Sequence, residues 1–320
     1  MSQLPISSRY FYSLSIAIFF LATPLFHASA LTISPARLEI NGDPGQVISG
    51  EFILINEQDE AKVFYSSAQN FEAQGETGTP NFVDAKDGLA TWISVPEQIT
   101  LEKGEQKKIP FSISIPAGVE AGGHFAAIFL STASPYGGSS QVSVGAKIGI
   151  LILLRVSGQI KEGGGITSFS TINDSVFFSS LPIGFTYRFS NTGSDRARPE
   201  GSLHIKNMLA FIAGSTSANP SSGNVLPGST RRFEVMWGDA RPSHGFFSTA
   251  AYQFSNFFFG WYRASLDLSA GNTSGIVSET LNFFIFPWQL ILIVCVVFVI
   301  FFWGMRRYNQ WIIKRAQLGR

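Results

Sequence analysis

A single cysteine stands in these 320 residues, and it lies inside an uncharged apolar run near the C-terminus. The stretch 31–282 therefore has no thiol for a disulfide, a zinc thiolate or a cysteine nucleophile, which excludes sortase-type transpeptidation. Histidine is almost as scarce. Beyond the first thirty residues only His124, His204 and His244 remain, on separate segments, without i,i+4 spacing. That pattern reads as ordinary histidines rather than ligands. G-x-S-x-G, Walker, H-E-x-x-H and EF-hand strings are all missing. No enzyme activity, cofactor or metal is expected. Acidic residues are missing from both ends: all 22 lie in 31–282, beside 17 basic ones, so this stretch carries −5. That balance argues against nucleic acid as a partner.

What is present at the ends explains those gaps. Arg9, the apolar run Leu14–Leu21 and Ala28-Ser29-Ala30 read as a signal peptide over 1–30, cleaved after Ala30. Phe283–Trp303 carries no charge, and its 21 residues would span about 31 Å as a helix. The span is placed at 283–305. Trp288 and Trp303 suit the two interfacial belts, and Pro287 suits a first helical turn. Arg306 and Arg307 open a basic tail, 306–320, without Asp or Glu. Basic flanks stay cytoplasmic, so the expected topology is single-pass in the plasma membrane. The body is then extracytoplasmic and the lipid bilayer is a partner. An extracytoplasmic chain without disulfides points to a bacterial surface protein.

Between the ends the chain reads all-β. Apolar or alternating runs recur between Gly, Pro, Asn and Asp punctuation. Ile109–Ile115 places Ile109, Phe111, Ile113 and Ile115 on one face, and Ile148–Val156 is apolar on both. Thr91–Val95 is expected as a strand, and no stretch of 31–282 shows a sustained helical period. Seven short strands in the first half fit an immunoglobulin-like sandwich. Three glycines at 163–165 suggest a flexible linker, 161–165, between sandwich one (31–160) and sandwich two (166–282). The expected architecture is two immunoglobulin-like β-sandwich domains followed by one C-terminal transmembrane helix.

Two features exceed background. Gly122-Gly123 opens a strand, as a plain turn or as a close approach of another backbone. Phe246–Tyr262 holds nine aromatics in 17 residues. Phe257, Phe258 and Phe259 cannot all point inward from one strand. The last strand must run toward the bilayer, so these three rings are expected at the membrane-proximal end, either touching lipid or packed beneath the sandwich.

The order of these pieces resembles the WxL-interacting protein family of Gram-positive surfaces. Trp92-Ile93-Ser94-Val95-Pro96 precedes Thr100-Leu101-Glu102-Lys103-Gly104-Glu105, then an alternating strand ending at Pro116, then Gly122-Gly123. Phe259-Gly260-Trp261-Tyr262 and Phe283–Trp288 resemble that family's last strands and membrane entry. Gly238–Asn256 looks like an insertion. The resemblance implies a first domain that binds peptidoglycan and a second that binds a host or partner protein, with Trp92, Gly122 and Gly123 in the first domain's motif. The sandwich also resembles pilus-chaperone domains; those are soluble, whereas this chain carries an anchor. The function expected is a membrane-anchored binding or scaffold protein that contacts cell-wall polymer, other surface proteins or both. The alternative is a structural subunit or chaperone-like assembly factor of an envelope or appendage complex.

Overall fold

A computed structural model describes residues 31–133, 147–239, 245–270 and 276–318. The signal segment with Ala30, His244 and Arg320 lie outside the described residues.

Alternation of apolar and polar residues builds the first sandwich. One sheet runs β1 (Leu31–Ser34), β3 (Val47–Asn56), β8 (Gln106–Ser114), β6 (Ile93–Ser94). The other runs β2 (Arg37–Gly42), β10 (Lys147–Val156), β9 (Gly122–Ser131), β4 (Lys62–Gln74), β5 (Thr79–Val83), with β7 (Gln98–Leu101) also on β4. Ile109, Phe111 and Ile113 of β8 point inward against Ile150, Ile152 and Leu154 of β10, as period-2 patterning requires. The chain's first strand divides between the sheets. β1 pairs antiparallel with β3, the chain turns at the cis Ser34–Pro35 bond, and β2 pairs parallel with β10.

The second sandwich repeats that plan. Its sheets are β11 (Gly164–Thr171), β13 (Ile183–Asn191), β16 (Thr230–Trp237), and β12 (Phe177–Phe178), β18 (Val277–Ile285), β17 (Gly260–Ala270), β14 (Pro199–Asn207), β15 (Ile212–Ser217). Here too the first strand divides: β11 pairs antiparallel with β13, and β12 pairs parallel with the last strand, β18. Each sandwich pins loops with a buried amide at a strand end. Asn56 donates to the Glu60 and Glu102 carbonyls at 2.9 and 3.0 Å. Asn191 donates to the Asp195 and Val225 carbonyls at 2.7 and 2.8 Å. A side-chain amide supplies the partners that a loop backbone would otherwise lack inside the protein. The two cores are separate clusters, one centred on Phe52, Phe64 and Phe111, the other on Phe185, Tyr187 and Phe283.

Four expectations change. Thr91–Val95 is not one strand: α1 (Leu89–Trp92) precedes the two-residue β6, because Leu89 and Ala90 bury themselves at consecutive positions. The segment read as lacking helices contains α2 (Phe246–Ser255), which buries Thr249, Ala250 and Gln253 at i, i+1 and i+4. The flanking aromatics masked that period. The C-terminal apolar helix, α3 (Trp288–Leu318), begins five residues later than the apolar run. Phe283 and Ile285 complete the alternation of β18 instead and are fully buried. Residues 161–165 are not a free joint. Gly164 and Gly165 open β11, the Ser194 amide donates to the Lys161 carbonyl at 2.8 Å, and the Thr192 amide donates to Gly163 at 3.1 Å.

Candidate functional site

The two sandwiches meet on a polar seam rich in arginine. β2 presents Arg37 and Glu39 side by side in the first sandwich, and β10 presents Arg155 near its end. The turn between β13 and β14 brings Asp195, Arg196 and Arg198 from the second. Glu39 is the hub. It accepts from Arg198 Nη2 at 2.5 Å, Asn224 Nδ2 at 3.2 Å, Arg37 Nε at 3.3 Å and Arg196 Nη2 at 3.5 Å. Asp195 is 5% exposed and takes Arg155 Nη1 at 3.1 Å. Arg155, Arg196 and Arg198 thus face Glu39 and Asp195 in an open cavity of about 350 Å³, while Arg37 holds Glu39 from beyond its lining. Lys161, Glu162, Glu200 and Ser269 also line it. A second cavity of about 100 Å³ lies between Leu151 and Leu153 on one side and Val225, Leu226 and Arg231 on the other. Burial pulls the Arg231 guanidinium below its usual value.

Glycines allow this seam to close. Gly122 has φ +135°, and a Cβ there would run into the Ser194 carbonyl oxygen. The Gly123 amide donates to that same oxygen at 2.9 Å. Of the two readings of the glycine pair, the structure shows the close approach of another backbone. On the opposite flank the Arg232 amide donates to the Glu76 carbonyl at 2.7 Å, and Arg188 Nε reaches the Glu76 carboxylate at 2.7 Å. The β4–β5 tip of the first sandwich thereby docks on the edge of β16.

Glu39 responds to pH in a defined direction. Burial raises its pKa, but the Asn224 amide and Arg196, Arg198 and Arg37 outweigh that, and the net value lies below the ordinary carboxylate range. A depressed carboxylate stabilises the fold above its unfolded pKa, and the contribution is lost as pH falls through the folded value. The unfolding midpoint of the detergent-solubilised chain should therefore drop on the acid side of that range. Glu39→Gln should flatten this limb and cost about 1–2 kcal/mol near neutrality, as for a partly exposed charged hydrogen-bond hub. An unchanged acid limb in the variant would remove Glu39 from that role.

The other sequence-derived positions scatter. Trp92 ends α1, half-buried, with its ring 4.9 Å from the His124 ring. His124 Nε2 lies 3.0 Å from the Glu120 carbonyl, and His204 Nδ1 lies 3.1 Å from Ser215 Oγ on an exposed sheet face. Among the described residues no cluster of His, Cys, Asp and Glu could hold a metal ion. Trp92 stands apart from the arginine seam, while Gly122 and Gly123 form part of it. Asp195, Arg196 and Arg198 carried no sequence signal beyond a polar turn.

The positions expected near the membrane fall together at the start of the apolar helix. Gly260 pairs with Ile285, three residues before α3 begins, so Phe257–Phe259 sit at the end of the sandwich from which the helix leaves. Phe258 turns inward, with its ring 5.2 Å from Trp237, while Phe257 and Phe259 stay exposed. Gln253, missed in the sequence, ties this end together. It is buried, donates to Ser179 O at 2.9 Å and Gln289 Oε1 at 2.6 Å, and accepts from the Leu290 amide at 3.0 Å. That last bond satisfies one of the unpaired N–H groups at the start of α3. α3 is long and apolar enough to cross a membrane. Trp288 opens it, Trp303 lies fifteen residues on, and the Arg307 guanidinium packs 5.5 Å from the Trp303 ring, with Arg306 beside it.

No family model and no curated protein matches the chain. Among solved structures it is similar to the class 5 fimbriae chaperone CfaA, at 13% identity over 79% of this chain and 99% of that one, with a TM-score of 0.40. The E. coli chaperone DraB aligns at 11% identity over 79% of this chain and 97% of that one, TM-score 0.35. The archaic chaperone–usher pre-assembly complex CsuC–CsuE of Acinetobacter baumannii aligns at 14% over 64% and 90%, TM-score 0.35. At such identities and scores these likenesses assign no partner and no activity. The sandwich assignment rests on the sheets described above.

Proposed function

We propose that this chain is a single-pass, membrane-anchored extracytoplasmic protein of a bacterial envelope that binds other polypeptides and catalyses no reaction. The observation that carries the reading is the open polar cavity of about 350 Å³ between the sandwiches, where Arg155, Arg196 and Arg198 stand among Glu39, Asp195, Glu162 and Glu200. Within a net-negative ectodomain, these three arginines and Lys161 balance the four carboxylates locally, and their forked donors suit a carboxylate of a partner. The basic end of α3 lies on the cytoplasmic side and both sandwiches lie outside.

The test is a photo-cross-linker at Glu200, an exposed position on the cavity rim, in native membranes. A discrete protein adduct that weakens in Arg198→Glu is the expected result. An adduct of glycan or stem peptide would instead assign the cavity to wall polymer, and no adduct at all would sink the reading.

A second reading, assembly factor for an envelope or appendage complex, has its own support. β9 pairs with β10 over Lys147–Val156, but β2 covers only Leu151–Val156. Among the described residues, no strand pairs with the other side of Lys147–Ile150. β8, at the margin of the other sheet, carries Lys107, Lys108 and Pro110, residues that discourage strand addition. Beyond Lys147 the short open piece of β10, Ile148–Ile150, is apolar and suits an added strand. Transient adducts with several unassembled subunits would favour this role, and a stoichiometric stable complex would favour the scaffold.

A further inference from the structure

The outer face of the five-stranded sheet in the second sandwich is graded along its strands. At the end nearest α3, Phe177, Phe284 and Trp261 form one aromatic row, with ring centroids 6.0 and 5.2 Å apart. Phe177 is 71% exposed. Two residues further along, about 7 Å at strand rise, Asn282, Arg263 and Lys206 lie in register and exposed. Arg263 Nε donates to Asn282 Oδ1 at 3.1 Å. The next row is Thr280, Ser265 and His204, and only the row after that brings an acid, Asp267 beside Ser278. Aromatic, basic, hydroxyl and acidic rows thus follow one another away from the helix.

The β14–β15 hairpin supplies an independent observation at the same end. Its tip, Met208-Leu209-Ala210-Phe211, and Ile212 at the start of β15 expose four large apolar side chains, each about two-thirds accessible. The tip is not loose. Asn207 Oδ1 accepts from the Leu209 and Phe211 amides, both at 3.0 Å, and the Asn207 amide donates to the Phe211 carbonyl. A braced turn that holds apolar side chains outward marks a contact surface.

We infer that the second sandwich is seated on the bilayer its own helix enters. The Met208–Ile212 tip and the aromatic row occupy the headgroup–acyl boundary, and Lys206 and Arg263 reach the lipid phosphates. Continuity selects this occupant: β18 leads into α3 within two residues, so whatever surrounds the start of the helix also meets this end of the sandwich. The order of the rows is that of an interface, aromatic rings at headgroup level and cations just above. The inference rests on the membrane-anchored reading of α3.

The test uses the full chain with Cys295→Ser, reconstituted in vesicles of phosphatidylcholine and phosphatidylglycerol. A nitroxide is placed at Leu209→Cys, at Ile212→Cys, or at Ser278→Cys as a reference further from the membrane. The labels at 209 and 212 should be relaxed by oxygen in preference to a water-soluble nickel chelate, and the label at 278 should show the reverse. Lys206→Glu with Arg263→Glu should abolish the lipid-phase signal at 209. A chain that resists carbonate extraction while 209 and 212 report water overturns this inference alone. A chain stripped off by carbonate overturns the anchored reading, and the inference falls with it.

Discussion

Phe283→Ala should destabilise the second sandwich by about 3–5 kcal/mol, the usual cost of emptying a fully buried aromatic site. Phe283 has no exposed surface. Its ring lies 5.5 Å from Phe185, 5.8 Å from Tyr262, 5.9 Å from Phe178 and 6.0 Å from Trp237. Those rings come from both sheets of the sandwich, so no single neighbour can close the gap. The loss should fall on the second sandwich, because the two cores share no residue. Pulse proteolysis of the detergent-solubilised chain across a urea series measures it. Fragments of the second sandwich should appear at much lower urea than in the parent, while those of the first should be shifted less. A shift worth under about 1 kcal/mol would mean that Phe283 does not sit at the centre of a packed core.

Gly122→Val should open the seam between the sandwiches. The branched side chain meets the Ser194 carbonyl oxygen, and the +135° φ at this position is one that β-branched residues avoid. Relief requires the 193–195 turn to withdraw. Withdrawal breaks the Gly123–Ser194 hydrogen bond and separates Arg155 from Asp195, leaving that carboxylate, 5% exposed, with only Arg196 at 3.6 Å. Removing one partner of a buried ion pair costs about 3–5 kcal/mol, less where the other partner is solvated, as Arg155 is here. The readout is trypsin cleavage after Lys161. The parent should resist, because Ser194 binds both the amide and the carbonyl of Lys161. The variant should be cut there, giving two fragments that each remain folded. Equal resistance in parent and variant would show that Gly122 is not what lets the sandwiches meet. Binding through the arginine cavity should weaken in the same variant, since its walls come from both sandwiches.

The local patterns of this chain were legible in its sequence. Alternation in Ile109–Ile115 is written residue by residue, because a strand with one buried face repeats every two residues. An uncharged run beside a basic flank is equally local. The start of that run was not: Phe283 and Ile285 are apolar enough for a bilayer, and only their pairing with Tyr262 and Gly260 makes them strand. α2 stayed hidden because exposed Phe247 and Phe254 blur its face, whereas its buried face is set by Gln253 reaching Ser179, Gln289 and Leu290. The glycine run 163–165 read as a hinge because glycine permits freedom; hydrogen bonds from Thr192 and Ser194, some thirty residues away in the chain, remove it. The convergence of Arg37, Arg155, Arg196 and Arg198 on two carboxylates joins positions up to 161 residues apart. Spacing along a chain carries no information about such a meeting. It is set by which strands pair and by where two glycines let one backbone approach another.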